Sequence, residues 1–553
     1  QARQVRPADA RRFIRLSQDS PLPNRFLSVY LSQAGKDRRW GDFLAVAEKE
    51  PNSVELKCYY FRAKLAQGDK LAAWEGAERL WVHGSSRPKV CDPLFDAWLK
   101  SGELSDDVVW ARLLKAFDAR ETSLIQYVAR KGSDELRPWS DKLLAIYRKP
   151  DNMRRQSLPA GSAYSRDIAS HGLVRLARYS PELALQYWGD YQAELGFDAE
   201  QVRYVEYAIA RHSLLSETEA NIPWLPGALG RLQDDKLVEI RLRWLLAERD
   251  WPGIEQTLPL LSEQARAEGV WRYWQAIAME QRGEAGRARG LFEALATERG
   301  YYSFLSADRL EQPYAFNHQP LMLDSAGTAP LLQLPAVQRI GELHFHDEAN
   351  LAHSEWFKVL SDNDEPQQQQ QLAQLAYQQG WHRMAIDAAN RARAWDALDL
   401  RFPTPYQTTF EHYGGVRQVP STELMAIARR ESAFFPAARS PVGARGLMQV
   451  MPATGKQVAS SLGTSLRSAD LYDVDRNVLL GSAYYRQLLD RFDGNRVFAL
   501  AAYNAGPHRV DRWRSKPGQE VPVEVWIETI PYRETRNYVQ AVLSYNVAVS
   551  YTH

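Results

Sequence analysis

A glutamate at the end of a predicted helix is the strongest candidate for chemistry in this chain of 553 residues. A proline, hydroxyl residues and an early acid mark the helix start at Pro420. The apolar stripe of the helix passes through Leu424, Ile427 and Ala428, and Glu431 follows at helical spacing on the same side. Partial burial disfavours a charged carboxylate, so we expect a raised pKa for Glu431. Such a glutamate can act as a general acid near neutral pH.

A loop rich in turn residues follows this helix and precedes another one. Residues 440–446 read Ser-Pro-Val-Gly-Ala-Arg-Gly, and Pro452 suits the first turn of the next helix. A loop of this composition can cover the glutamate and bring to it a hydroxyl from Ser440 and an amide from Gln449. Alternatively, Glu431 is an exposed residue that pairs with neighbouring arginines. The local pattern leaves both interpretations open.

Other common reaction centres are missing from the sequence. There is no GxxxxGK[ST] phosphate loop and no GxSxG nucleophile elbow. His344, His346 and His353 lack the spacing and the accompanying carboxylates of a metal site, so we expect neither a metal nor a cofactor. The two cysteines, Cys58 and Cys91, are too few for an ordinary structural zinc site. They are either buried thiols or, in an exported protein, a disulfide.

The composition is that of a globular protein with about two to four domains. Hydrophobic residues make up 45% of the chain and charged residues 25%, which argues against wholesale disorder. The formal net charge of +1 argues against a nucleic-acid partner. No apolar run approaches the roughly 18–20 residues that span a bilayer, so we expect no stable membrane insertion. The N-terminus has no apolar signal core, so the protein is either cytosolic or numbered after a removed export signal.

Helical periodicity dominates the chain and predicts an all-α fold. Apolar residues recur at three- and four-residue spacings in helix–turn–helix pairs such as residues 59–81. Hairpins of this kind stack into a solenoid, because none of them can bury its apolar face alone. We therefore predict an α-superhelical solenoid over residues 1–333.

Prolines mark two predicted domain boundaries. Four prolines between Gln312 and Pro335 interrupt any helix, and the helical pattern that resumes after them predicts a small linker domain over residues 334–400. A second break at residues 401–405 precedes a third domain over residues 401–553. Glycine and proline cluster there in loops of the kind that carry reactive groups.

Three motifs in the third domain resemble those of the soluble lytic transglycosylases. They lie at residues 431–452, 502–506 and 530–539, in the order typical of that family. One departure is Gly455, where alanine is commoner in the family, and it touches no functional role. The long helical N-terminal part is similar to that of the large, ring-shaped members.

The resemblance implies a lysozyme-like catalytic domain that acts on bacterial peptidoglycan. The implied reaction cleaves the β-1,4 bond between N-acetylmuramic acid and N-acetylglucosamine and leaves a 1,6-anhydromuramyl product. Glu431 is implied as the catalytic acid and then base. The residues with implied substrate-binding roles are Ser440, Gln449, Met451, Tyr503, Asn504 and Glu534.

The resemblance also implies a periplasmic protein whose signal peptide has been removed. That location implies a disulfide between Cys58 and Cys91. The expected partners are peptidoglycan glycan strands, with cell-wall synthesis proteins as further candidates, and the expected state is a monomer.

One carboxylate suffices for the implied reaction, whereas ordinary glycosidases use two. Glu431 would protonate the leaving oxygen, the substrate N-acetyl group would stabilise the cation, and the carboxylate would then take the C6 hydroxyl proton. Hidden second carboxylates could be Asp470, Asp473 or Asp475, which we interpret as turn and capping residues. Two alternatives are a hydrolytic muramidase and a non-catalytic glycan-binding scaffold, and the mass of the product separates all three.

Overall fold

The computed structural model describes residues 5–321, 325–514 and 520–552. Over these ranges the chain is helical without any β-strand, and two isolated β-bridges join Arg439 to Arg445 and Arg445 to Val450. The all-α prediction is therefore confirmed. Contacts divide the chain into two compact units, one ending at Arg241 and one beginning at Leu242. The predicted limits of the three domains stay predictions.

The first unit consists of helices that pack mainly on their neighbours in sequence, such as α4 on α5 and α10 on α11 and α12. Serine and aspartate side chains accept backbone N–H groups at the starts of α4, α5, α7, α10 and α12. The helices are α1 (Pro7–Leu16), α2 (Leu22–Lys36), α3 (Trp40–Val46), α4 (Val54–Ala66), α5 (Lys70–Trp81), α6 (Asp92–Lys100), α7 (Asp106–Ala119), α8 (Thr122–Ala129), α9 (Arg137–Arg148), α10 (Ala163–Ala177), α11 (Pro181–Leu195), α12 (Ala199–Leu215), α13 (Leu225–Leu232) and the start of α14 (Asp235–Glu248).

A disulfide joins α4 to the segment that precedes α6. Cys58 and Cys91 lie fully buried in the core of the first unit, with an S–S distance of 1.98 Å and a Cα–Cα distance of 5.0 Å. The predicted pairing is confirmed.

The second unit contains the end of α14 and all later helices. They are α15 (Trp251–Thr257), α16 (Glu263–Arg266), α17 (Gly269–Gln281), α18 (Ala285–Ala296), α19 (Tyr301–Leu310), α20 (Ser325–Leu332), α21 (Pro335–Phe345), α22 (Ala349–Asp362), α23 (Pro366–Gln378), α24 (His382–Arg391), α25 (Leu398–Arg401), α26 (Gln407–Arg417), α27 (Ser421–Ser432), α28 (Pro452–Ser461), α29 (Val474–Arg491), α30 (Arg496–Ala505), α31 (Pro507–Trp513), α32 (Val523–Glu528) and α33 (Arg533–Thr552). Across the described residues of both units, 3-10 helices lie at Lys89–Cys91, Pro150–Arg155, Glu219–Asn221, Leu258–Leu260 and Asp470–Tyr472.

Helix α27 is the central element of the second unit, because it packs along α33, which also contacts α30. The apolar side chains of Leu424, Ile427 and Ala428 lie fully buried in the core beneath it. The helix ends at Ser432 because Ala433 and Phe434 take left-handed backbone angles, with φ of 51° and 62°.

The start of α27 differs from its prediction in one respect. Pro420 is the N-cap residue and makes no side-chain capping bond, although hydroxyl residues follow it. The early acid, Glu423, is buried instead, where it forms an ion pair with Arg496 at 2.7 Å and accepts a hydrogen bond from the Tyr485 hydroxyl. A sequence pattern cannot distinguish an acid that favours a helix start from one that forms a buried pair across the core.

Candidate active site

Glu431 is the second-last residue of α27, and its side chain is half-buried. Burial is the largest influence on the carboxyl and raises the pKa of Glu431 to about 7. The negative charge of Glu534 acts in the same direction, whereas the Tyr538 hydroxyl and the positive charge of Arg430 favour the ionised form. The structure thus supports the raised pKa expected from the apolar stripe.

The hydroxyl of Tyr538 is the one that influences the pKa of Glu431. It is buried on α33, and its interaction with Glu431 lowers the pKa of that carboxyl. Within the part of the chain that the structure describes, its hydroxyl has no partner at ordinary hydrogen-bond geometry. It is therefore available to donate to a carboxylate at Glu431. The sequence analysis gave Tyr538 no role, although its position four residues after Glu534 places both on one helix face.

The hydroxyls of Tyr503 and Ser440 form hydrogen bonds with backbone groups of the loop between α27 and α28. The Tyr503 hydroxyl donates to the Met448 carbonyl at 2.8 Å. Burial and the neighbouring carboxyl of Glu431 together raise the pKa of Tyr503 well above its ordinary value. The Ser440 hydroxyl accepts the N–H of Ala444 at 3.0 Å and closes a turn. The hydroxyl that opposes the rise in the pKa of Glu431 is that of Tyr538.

The loop between α27 and α28 is held by two amide side chains. Gln449 donates to the carbonyls of Ala438 at 3.2 Å and Gly446 at 2.9 Å. Asn477, on α29, is fully buried and accepts the N–H of Met448 at 2.8 Å. It also donates to the Arg445 and Leu471 carbonyls at 2.9 Å and 2.7 Å. Asn477 has no place in the three motifs, so the sequence analysis missed this support.

Ser432 connects the end of α27 to the same loop. Its hydroxyl donates to the Leu447 carbonyl at 2.7 Å and accepts the Phe435 N–H at 3.1 Å. The Ser432 carbonyl accepts a hydrogen bond from Arg383 of α24 at 2.7 Å. The residue that follows Glu431 is thereby fixed from two sides.

The second and third motifs meet through Asn504 and Thr535. The Thr535 hydroxyl donates to the Asn504 side-chain oxygen at 2.8 Å, which ties the end of α30 to the start of α33. Glu534 is exposed in the first turn of α33, and Met451 is 40% exposed at the start of α28. The exposed side chains of Glu534 and Met451 can be reached by a ligand.

The three aspartates considered as hidden second carboxylates each make a structural hydrogen bond. Asp470 accepts the Arg467 N–H at 2.9 Å within a 3-10 turn. Asp473 caps α29 by accepting the Arg476 N–H at 2.8 Å. Asp475 accepts the Tyr413 hydroxyl at 2.8 Å. These contacts support the interpretation as turn and capping residues for Asp470 and Asp473, whereas Asp475 bonds across to α26.

The histidines considered as ligands also have other contacts. His344 stacks on Trp381, with 5.2 Å between ring centroids, and His353 pairs with Asp387 at 2.9 Å. Across the residues that the structure describes, no group of three or more histidine, cysteine or acidic side chains is placed to hold a metal ion.

Family comparisons place this site among known proteins. The family model described as the transglycosylase SLT domain matches residues 409–522. The soluble lytic murein transglycosylase L domain matches residues 330–398, and the soluble lytic transglycosylase helical domain matches residues 529–548. A soluble lytic murein transglycosylase from Salmonella typhimurium is 31% identical over 540 residues, which cover 97% of this chain and 83% of that protein. This chain belongs to the soluble lytic murein transglycosylase family.

Solved structures of soluble lytic transglycosylases have the same fold. The crystal structure of the 70 kDa soluble lytic transglycosylase from Escherichia coli matches with a TM-score of 0.87 at 29% identity, over 99% of this chain and 89% of that one. An inactive glutamate-to-glutamine mutant of lytic transglycosylase Slt from Pseudomonas aeruginosa matches with a TM-score of 0.81 at 33% identity and the same coverage. The predicted superhelical, all-α fold class and the predicted enzyme class are confirmed.

Proposed function

We propose that this lytic transglycosylase cleaves the β-1,4 bond between N-acetylmuramic acid and N-acetylglucosamine in peptidoglycan without adding water. The product would carry a 1,6-anhydromuramyl end. The observation that carries the proposal is a single half-buried carboxyl, that of Glu431, whose pKa of about 7 suits it to both proton transfers. The relatives are named for acting on murein, which agrees with this substrate.

In the first step, Glu431 acts as a general acid. A carboxyl with a pKa of about 7 is largely protonated on the mildly acidic side of neutrality. Its proton passes to the glycosidic oxygen as the bond to C1 breaks, and the electron pair of that bond leaves with the oxygen. The substrate's own N-acetyl group stabilises the positive charge that develops at C1.

In the second step, the Glu431 carboxylate acts as a base. It accepts the proton of the C6 hydroxyl while O6 forms a bond to C1, so the carboxyl regains its starting state. Burial and the charge of Glu534 favour this reprotonation. The Tyr538 hydroxyl and the positive charge of Arg430 stabilise the ionised form of Glu431 between the two steps. The protonated and ionised forms therefore stay close in free energy near neutral pH.

The surrounding residues are assigned to substrate binding in this proposal. Exposed side chains suit Met451 and Glu534 to direct contact with the glycan. The other proposed binding residues, which also hold the walls of the site, are Ser440, Gln449, Tyr503 and Asn504.

A periplasmic location is part of the proposal. The Cys58–Cys91 disulfide supports an oxidising compartment. Over the described ranges, no helix is long and apolar enough to cross a membrane. The monomeric state and the contacts with cell-wall synthesis proteins stay predictions.

The test is digestion of purified sacculi, followed by mass spectrometry of the soluble products. The proposal expects muropeptides lighter by one water than their reducing counterparts, and none from the Glu431→Gln variant. Reducing ends would indicate a hydrolytic muramidase. Binding of sacculi without any soluble product would indicate a scaffold.

A further inference from the structure

Glu528, two residues before the third motif, is a buried glutamate that takes no part in the proposed chemistry. Glu528, the last residue of α32, has a side chain that is only 1% exposed. One of its oxygens accepts from Arg243 at 2.8 Å, with Arg536 further away at 3.7 Å. The other accepts from Gln540 at 3.0 Å and from the Tyr302 hydroxyl. A side chain this deeply buried cannot touch a glycan strand.

The contacts of Glu528 fix the helix that also faces the candidate acid. Arg536 and Gln540 lie four residues apart on one face of α33, where Arg536 also donates to the Ile530 carbonyl at 3.0 Å. Tyr538 lies between them in sequence and therefore points to the opposite side of α33, which packs along α27, the helix that carries Glu431. The first two turns of α33 thus lie between the buried carboxyl of Glu528 and the half-buried carboxyl of Glu431.

The anchors of Glu528 come from helices that precede the catalytic motifs. Arg243 belongs to α14 and Tyr302 to α19, and the Tyr302 hydroxyl also accepts from Gln540 of α33 at 2.9 Å. Burial of a carboxylate costs several kcal/mol unless it is paired and hydrogen-bonded. The cluster satisfies that condition, and it does so only when α33 keeps one rotation and one register.

We propose that Glu528 is a positioning residue, which sets the rotation and register of α33 so that Tyr538 meets Glu431. The effect on turnover rests on the proposed function, whereas the effect on the environment of Glu431 does not. Glu528 would act through Tyr538 and would contact neither the substrate nor the reacting atoms.

The test compares two variants of the cluster with two references. Glu528→Gln removes the charge with little change in shape, and Tyr302→Phe removes one hydroxyl and leaves the carboxylate. Tyr538→Phe removes the hydroxyl that faces Glu431. The matched control is Glu524→Gln. Glu524 lies on α32, as Glu528 does, and its side chain is 22% exposed. The substitution breaks an ion pair with Arg309 at 3.3 Å.

The first measurement is the pKa of Glu431 in each full-length variant, by infrared titration of its carboxyl band relative to a matching Glu431→Gln background. The groups that face Glu431 are Arg430, Glu534, Tyr503 and Tyr538. Only Glu534 and Tyr538 lie on α33, and Tyr538 has the larger effect on the carboxyl.

Displacement of α33 should therefore raise the pKa of Glu431 by about 0.5–1, the equivalent of most of one hydrogen bond. We expect this rise in Glu528→Gln, Tyr302→Phe and Tyr538→Phe, and none in Glu524→Gln. If Glu528→Gln does not fold, Tyr302→Phe carries the test alone. An unchanged pKa of Glu431 in the folded cluster variants, even with reduced thermal stability, overturns the proposal.

The second measurement is turnover of soluble glycan strands. We expect kcat to fall by about tenfold to a hundredfold in the cluster variants with KM nearly unchanged, because only the alignment of the acid is disturbed. The alkaline limb of the pH profile should move upward with the pKa of Glu431. A wild-type enzyme without anhydro products would contradict the proposed function, yet the infrared measurement would still decide the role of Glu528. A rise in KM alone, with kcat unchanged, would overturn the positioning role.

Discussion

At the scale of single residues, the proposed mechanism requires one carboxyl, that of Glu431, to perform two opposite proton transfers. Burial alone would hold Glu431 protonated, and an exposed glutamate would stay ionised. The Tyr538 hydroxyl and the positive charge of Arg430 oppose burial, and the pKa settles at about 7. In the proposed mechanism, this balance would let one carboxyl take the place of the two carboxylates of ordinary glycosidases.

Replacement of Glu431 by glutamine should abolish turnover and keep the fold, because an amide cannot donate and take back a proton. The measurement is the release of soluble muropeptides, with circular dichroism as the check on folding. Activity within tenfold of wild type would remove Glu431 from the catalytic role.

The same variant should change how stability depends on pH. The folded-state pKa of Glu431 is raised, so the stability it contributes is full below about pH 4.5 and is lost as pH rises through about 7. Glutamine does not titrate and avoids this loss. We therefore compare the free energy of unfolding of Glu431→Gln with that of wild type at pH 5 and at pH 8. The difference should shift in favour of Glu431→Gln from pH 5 to pH 8 by on the order of 1–3 kcal/mol. An equal difference at both pH values would argue against a perturbed carboxyl.

Turnover should be greatest on the mildly acidic side of neutrality and fall as pH rises through about 7, because the first step needs a protonated Glu431. The measurement is kcat against pH at saturating substrate, with binding followed separately. A profile that rises steadily down to about pH 4, with no limb above the ordinary glutamate value, would contradict the raised pKa.

Sequence reasoning could predict the burial of Glu431 but not the hydroxyl that opposes the rise in its pKa. The apolar stripe of one helix and its helical spacing sufficed to predict partial burial, since both are local properties. The role of Tyr538 depends on the packing of α27 against α33, more than 100 residues later. A single sequence does not specify which helix faces which.

At the scale of elements, the loop between α27 and α28 depends on a support from α29. Asn477 makes three hydrogen bonds to backbone groups in and around that loop while fully buried. Gly446 has a φ of 75°, and a Cβ there would lie 2.1 Å from the Leu471 carbonyl oxygen. The loop therefore takes one conformation, which also places the Met448 carbonyl that Tyr503 binds.

Asn477→Ala should cost about 2–4 kcal/mol, because two buried backbone groups, the Met448 N–H and the Leu471 carbonyl, lose a hydrogen bond. It should also lower kcat at temperatures where the variant is folded, since the loop that follows Glu431 loosens. The matched control is Asn495→Ala, which removes one capping bond to the Phe498 N–H and should lower thermal stability by about 1 kcal/mol only. Equal loss of kcat in both variants would show that general destabilisation explains the effect.

Residue types that favour helix starts and ends predicted those ends correctly at Pro452 and Gly506, but they did not predict which acidic side chain is buried in the core. Pro452 begins α28 and Gly506 follows the end of α30, as their local preferences predict. Glu423 looked like a helix-start acid and is a buried ion-pair partner of Arg496. The difference arises because capping is decided within one turn, whereas burial of a charge is decided by elements far away in sequence.

At the scale of the whole molecule, the fold class followed from periodicity, and the enzyme class followed from three motifs. The hairpin pattern predicted the helices of both units, although it could not locate the division near Arg241. The disulfide followed only from the location that the family resemblance implied. Its two thiols meet inside the first unit because α4 and the segment before α6 pack together.

Loss of the disulfide should lower the stability of the protein by about 3–4 kcal/mol in the chain-entropy account of a loop of this size. The variant is Cys58→Ser together with Cys91→Ser, and the measurement is denaturant unfolding. We expect unchanged kcat at low temperature, because neither cysteine lies in the unit that carries Glu431. Alkylation of both thiols in denatured, unreduced wild-type protein would contradict the pairing.

The central claim is that the C6 hydroxyl of the substrate, and not water, attacks C1 while Glu431 takes the proton. Digestion of glycan strands in water enriched in oxygen-18 tests this most directly. We predict muramyl ends that are one water lighter than reducing ends and that contain no heavy oxygen. Incorporation of one heavy oxygen at C1 as the products form would show that water is the nucleophile and would contradict the account.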